Sequence, residues 1–170
     1  MPKKIISLIG MTGCGKSTVG RALSVKLGLE FIDLDDYIVS KTGKTPREIF
    51  DEAGEEHFRR LESQSLLEVI SNIGGNGGLV LSCGGGIVTR EANISQLRDK
   101  TLVLWIKRPA EEVAKSPEVF MRPPINGSMD NYMKLYSVRE PLYTSCAHHV
   151  LEHREVKSTV DEILRILDNR

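Results

Sequence analysis

Residues Gly10–Ser17 read Gly-Met-Thr-Gly-Cys-Gly-Lys-Ser and fill every fixed position of the pattern G-x-x-x-x-G-K-[ST]. Their flanks constrain the fold as much as the motif does. The apolar run Ile5-Ile6-Ser7-Leu8-Ile9 suits a strand buried on both faces. After the loop, Val19, Leu23 and Leu27 recur at helical spacing, with Arg21 and Lys26 off that face. Strand, glycine loop and helix in that order turn backbone N–H groups toward a polyphosphate at a helix N-terminus. The glycines permit the positive φ values and close approach that such a cradle needs. Lys16 is spaced to reach β- and γ-phosphates, and the Ser17 hydroxyl to ligate Mg²⁺. The motif predicts a bound nucleoside triphosphate and leaves the phosphate acceptor open.

The 170 residues suit one globular domain over positions 1–170. The 23 basic and 23 acidic residues cancel, so no global field favours nucleic acid or an anionic membrane. Anion binding must then come from local cations. No apolar run approaches the ~20 residues that span a bilayer, and the stretch after Lys3-Lys4 is too short for a signal peptide. A cytoplasmic protein is expected, and a monomer. Cys14, Cys83 and Cys146 are odd in number and widely spaced, which argues against a disulfide framework or zinc site. Cys14 lies within the loop beside Lys16, where its thiol pKa would be lowered, so alkylation there should inactivate. A small residue that merely fits the loop is the plainer account of it.

Strands alternate with helices along the chain, which predicts an α/β fold: a five-stranded parallel sheet with helices on both faces, in three layers. The expected strands are Lys4–Ile9, Glu30–Asp33, Leu79–Ser82, Leu102–Ile106 and His149–Leu151. The expected helices are Lys16–Leu27, Asp35–Thr42, Pro46–Asp51, Glu55–Ile73, Glu91–Leu97, Ala110–Lys115, Met129–Cys146 and Thr159–Asp168. Thr45-Pro46 followed by Glu48 is a helix start, and Gly74-Gly75-Asn76-Gly77-Gly78 is a turn. The segment from about 116 to 130 carries Pro117, Pro123, Pro124, Gly127 and a lone Arg122. It reads as a mobile lid, which phosphoryl transfer needs in order to exclude water.

Ligands of such sheets bind beyond the carboxyl ends of the strands. The second strand runs into Asp33-Leu34-Asp35-Asp36, and alternation along an extended chain puts Asp33 and Asp35 on one side. One carboxylate there would support the Mg²⁺ water shell and the other would accept a proton from a substrate hydroxyl. Spacing leaves almost equally open that Asp35 only caps the next helix. The third strand carries no acid, which moves the metal-supporting role toward Asp33. It runs into Gly84-Gly85-Gly86, bare backbone that a ligand can approach. Arg59, next to the apolar positions Phe58 and Leu61, and Arg139 would form a bidentate carboxylate clamp if both point inward.

The ordered set resembles shikimate kinases along essentially the whole chain. It comprises Gly10–Ser17, Asp33-x-Asp35, Phe58-Arg59 with Glu62, Gly84–Gly86, Arg122-Pro123, and Arg139 ahead of Pro141-Leu142-Tyr143. The resemblance implies transfer of the ATP γ-phosphoryl to the 3-hydroxyl of shikimate. It also implies roles. Gly13, Cys14, Gly15, Lys16, Ser17 and Thr18 hold the ATP phosphates, and Ser17 ligates Mg²⁺ with Asp33 supporting its water shell. Asp35 takes ring hydroxyls and the proton, Arg59 and Arg139 hold the carboxylate, and the Gly84–Gly86 backbone faces the ring. Arg122 closes from the lid onto the phosphates.

Two positions depart from the family pattern. Pro124-Ile125 replaces a pair of leucines after Arg122-Pro123, which stiffens the lid. Lys115 stands where relatives place an arginine over adenine, and Arg154 is the candidate substitute. His148-His149 lacks companions at metal-ligand spacing and is assigned no function. The rivals are a gluconate or nucleoside monophosphate kinase, which share the loop and lid, and a non-catalytic ATP-binding switch.

Overall fold

The first strand shows how this chain sorts its residues. In β1 (Ile5–Ile9), Ile5 and Ile9 join one core layer, while Ile6 and Leu8 join another. All five positions are buried, as a strand covered on both faces requires. The computed structural model describes residues 5–73, 77–123, 125 and 127–169. The sheet is parallel and five-stranded, with order β2-β3-β1-β4-β5, where β2 is Glu30–Asp33, β3 Leu79–Ser82, β4 Leu102–Lys107 and β5 His149–Glu152. Helices α1 (Lys16–Leu27) and α7 (Val156–Asp168) pack Val19, Leu23, Val160 and Ile163 on one face. Helices α3 (Pro46–Ser71), α4 (Glu91–Lys100) and α6 (Met129–Cys146) cover the other with Leu66, Ile94, Leu97 and Tyr143. Helices α2 (Leu34–Thr42) and α5 (Ala110–Val113) complete the set. The three-layer α/β expectation holds.

Local chemistry explains the boundaries. Thr45 and Glu48 form a reciprocal capping box: Glu48 N–H donates to Thr45 Oγ1 (3.3 Å) and Thr45 N–H to Glu48 Oε2 (2.7 Å). Gly28 closes α1 in the left-handed region at φ 64°. The two helices expected over 46–51 and 55–73 form one run bent at Gly54, whose φ of 81° and ψ of 169° suit glycine. Helix α5 stops at Val113, short of Lys115, and α7 starts three residues before Thr159. The lid contains a 3₁₀ segment, Pro117–Met121, where irregular chain is expected. Lys4, the turn residues Gly74–Asn76 and the lid's Pro124 lie outside the described residues. Among those described, no helix is long and apolar enough to cross a membrane.

The alternation argument for Asp35 fails. The chain leaves the strand at Asp33, which is the N-cap of α2: its Oδ1 accepts from the N–H groups of Asp35 (3.0 Å) and Asp36 (3.4 Å). Asp35 therefore sits in the first helical turn and is not itself the cap. Two acids in that turn suit the positive end of the helix dipole.

Candidate active site

The carboxyl ends of the strands open into a cleft of about 700 Å³. Its floor is the glycine loop. Gly13 and Gly15 take φ of 81° and 94°, which carry the chain into α1. The Lys16 ammonium donates to the carbonyls of Gly10 (2.7 Å) and Met11 (2.9 Å). Ser17 Oγ donates to Asp33 Oδ2 and lies 3.1 Å from Ser82 Oγ. Gly13, Gly15, Lys16, Ser17 and Thr18 line the cleft. Cys14 does not: its thiol is buried, 3.6 Å from Lys16 Nζ, and packs into the α1 core layer. That burial removes the access an alkylating reagent needs.

The wall of the cleft opposite the glycine loop is built around a buried ion pair. Arg59 Nη1 donates to Glu62 Oε2 at 2.9 Å, and Arg59 Nη2 reaches Glu55 at 3.2 Å. Arg59 is 6% exposed, Glu62 0% and Arg139 3%. Burial pushes Glu62 upward despite the two arginines that oppose it. Burial, then the charge of Arg59, lowers Arg139, whose Nε finds no hydrogen-bond partner. Counting only the buried groups, two guanidiniums face one carboxylate, with the exposed Glu55 pairing with Arg59 from the rim; a second carboxylate, from an anionic ligand, suits the interior.

The three glycines fit this corner for a reason other than open backbone alone. A Cβ on Gly86 would lie 2.3 Å from the Arg59 guanidinium carbon, and one on Gly84 would lie 2.4 Å from Glu62 Oε1. These two make room for the ion pair. Gly85 faces Thr12, and its carbonyl accepts from the buried Tyr143 hydroxyl. Neither contact is readable from sequence, although Tyr143 and Glu62 stand within its notable motifs.

Asp35 lines the cleft between the two halves. Burial, then the neighbouring carboxylates of Glu62 and Asp33, raises its pKa to about 6, against the pull of Lys16 and Arg122. Such a carboxylate is matched to proton transfer near neutral pH. Arg122 lines the cleft from the lid and is exposed. Arg47, at the start of α3, donates to the Met121 carbonyl next to it (3.0 Å). Arg154 is exposed after β5 and is not among the cleft residues. Sequence reasoning missed Arg108, which directly follows β4, lines the cleft and donates to the Gly13 carbonyl at 3.0 Å. It also missed His153, buried against Gly15. Both stand just beyond strand carboxyl ends, the one signal that marks them.

With this geometry in view, a model of the shikimate kinase family matches residues 12–168. The chain belongs to the shikimate kinase family. A shikimate kinase from Clostridium beijerinckii is 40% identical across 99% of this chain and 98% of its own length. Another, from Clostridium botulinum strain Alaska E43, is 36% identical across 98% and 99%. The structure of shikimate kinase from Acinetobacter baumannii in complex with shikimate superposes with a TM-score of 0.89 at 34% identity. It covers 99% of this chain and 95% of that one. Like its shikimate kinase relatives, the chain is a phosphoryl-transferring, ATP-binding enzyme.

Proposed function

We propose that this cleft transfers the γ-phosphoryl group of ATP to the 3-hydroxyl of shikimate, giving shikimate 3-phosphate and ADP. One observation carries the reading: two buried arginines face a glycine triplet across from a complete phosphate loop, with a raised carboxylate between them. Shikimate has one carboxylate and a ring of hydroxyls. Arg59 and Arg139 match the carboxylate, and Asp35 and the Gly85 backbone match the hydroxyls.

In the reaction, the acceptor oxygen forms a bond to the γ-phosphorus as the bond to the bridging oxygen of ADP breaks. Asp35 accepts the hydroxyl proton. Phosphoryl transfer asks mainly for positioning and charge neutralisation, and Lys16 and Arg122 provide cations from the loop and the lid. The donors at Ser17, Asp33 and Ser82 are hydroxyl and carboxylate oxygens, which fit a hard divalent ion such as Mg²⁺. Ser17 would hold it directly and Asp33 through water; the ion supplies neutralisation of phosphate charge. Capping ties Asp33 to α2, so its carboxylate is fixed for that task. The enzyme is proposed to work as a monomer, in the cytoplasm where ATP is at hand.

ADP release with ATP and Mg²⁺ tests the reading, with shikimate, gluconate and nucleoside monophosphates offered in parallel. Shikimate alone should stimulate release. Stimulation by gluconate and none by shikimate would overturn the assignment.

A further inference from the structure

The phosphate loop is held from a side that the loop motif does not reveal. Arg108 ends at the loop: its Nη1 donates to the Gly13 carbonyl at 3.0 Å. The N–H on the far side of that same peptide, from Cys14, donates to the Met11 carbonyl at 3.2 Å. The Gly13–Cys14 peptide plane is thus fixed at both ends. His153 packs on the next glycine: a Cβ on Gly15 would lie 2.7 Å from its Nε2, and its Nδ1 lies 2.7 Å from Thr159 Oγ1. Burial, then the charge of Arg108, lowers the His153 pKa, which places the two side chains in one electrostatic neighbourhood.

A guanidinium carries five N–H donors in a rigid fork. Arg108 is half-buried, lines the cleft, and gives one donor to Gly13. Among the described residues no carboxylate forms an ion pair with it; the nearby Glu112 pairs with Lys115 at 2.7 Å. A cation with spare donors beside a polyphosphate cradle, and with no direct ion pair among the described residues to occupy them, is set up to meet an anion.

We infer that Arg108 is a further nucleotide-binding residue of this enzyme: it fixes the Gly13–Cys14 peptide and presents its remaining donors to the polyphosphate. It acts at the phosphates, a different place from the adenine contact offered to Arg154. The inference rests on the ATP-binding reading of the cleft.

The test compares wild type with Arg108→Ala and Arg108→Lys. Three quantities are measured: KM for ATP, KM for shikimate, and the inhibition constant of inorganic tripolyphosphate against ATP. Arg108→Ala should raise the ATP KM and the tripolyphosphate constant by the same factor. That factor is roughly 10- to 100-fold, the range for hydrogen bonds to charged groups. The shikimate KM should stay within about twofold, the scatter expected of an uncoupled site. Arg108→Lys restores charge without the fork and should recover part of both losses; it also keeps the question open to test if the alanine variant fails to fold. An unchanged tripolyphosphate constant in the two variants would overturn the inference, as would equal rises in both KM values. Wild-type protein that binds neither ATP nor tripolyphosphate would overturn the reading of the cleft itself.

Discussion

Glu62 and Arg59 form an ion pair one helical turn apart, 2.9 Å between Oε2 and Nη1, closed off from solvent by the glycines that follow β3. Each needs the other, because an isolated buried charge is far more costly than a paired one. Glu62→Gln should therefore destabilise the fold by about 3 kcal/mol, read from the urea midpoint. The Arg59 side chain should also lose its orientation, which raises the KM for shikimate more than that for ATP. Stability equal to wild type would show that the pair is not needed.

Gly86 and Gly84 offer a test of the same corner by addition. A methyl group at Gly86 meets the Arg59 guanidinium at 2.3 Å, too close to be accommodated without displacing it. Gly86→Ala should cost about 1–3 kcal/mol in stability, as overpacking does. The shikimate KM should rise by roughly tenfold, about the value of one charged hydrogen bond. The ATP KM should hold. Steady-state kinetics with each substrate varied in turn would show the asymmetry.

Asp35 links turnover to pH. Its pKa of about 6 lies above the ordinary aspartate value of 3.8, so acid neutralises it within the working range. As a proton acceptor it must be ionised, and kcat should fall as pH drops through about 6. The effect on stability has the opposite sense. Folding disfavours the charged form, so the penalty is absent below about pH 4 and complete above pH 6. Asp35→Asn should thus be more stable than wild type by about 1–3 kcal/mol at pH 7.5, with the gap closing by pH 4. Its turnover should fall sharply while ATP binding survives.

Asp33 divides its two oxygens between tasks: Oδ1 caps α2 and Oδ2 accepts from Ser17. Two variants separate them. Asp33→Asn keeps a capping oxygen and should fold almost as stably as wild type, yet need more Mg²⁺ for half-maximal activity. Asp33→Ala loses the cap as well and should cost about 1–2 kcal/mol. Magnesium titrations beside thermal melts would resolve the pair. An unchanged magnesium requirement in both would remove Asp33 from the metal site.

Much of this fold was legible because its signals are local. The run Ile5–Ile9 is apolar at every position, and glycines punctuate the loop that follows, so strand and cradle could be placed by pattern. Thr45, Pro46 and Glu48 wrote the start of α3 in adjacent residues. A break between Asp51 and Glu55 was legible, though the chain only bends, at Gly54, and continues. Asp35 was placed by the wrong argument, since period-two alternation ends where Asp33 caps a helix. The reasons for Gly84 and Gly86 were hidden, because their partners Glu62 and Arg59 lie more than twenty residues upstream on another element. Arg108 and His153 were hidden for the same reason: each acts on a glycine more than ninety residues away in sequence.

The packing of His153 on Gly15 also orders events in the life of the chain. The phosphate loop is translated early, but the residues that finish its surroundings come from β5 and α7, near the other end. Arg139, half of the proposed acceptor clamp, arrives on α6 shortly before them. A chain still emerging from the ribosome holds the motif without the cleft, and neither ATP nor shikimate has a finished site on it to stabilise. Ligand-assisted folding therefore waits for β5 and α7, whose surroundings reach back across the chain to the phosphate loop.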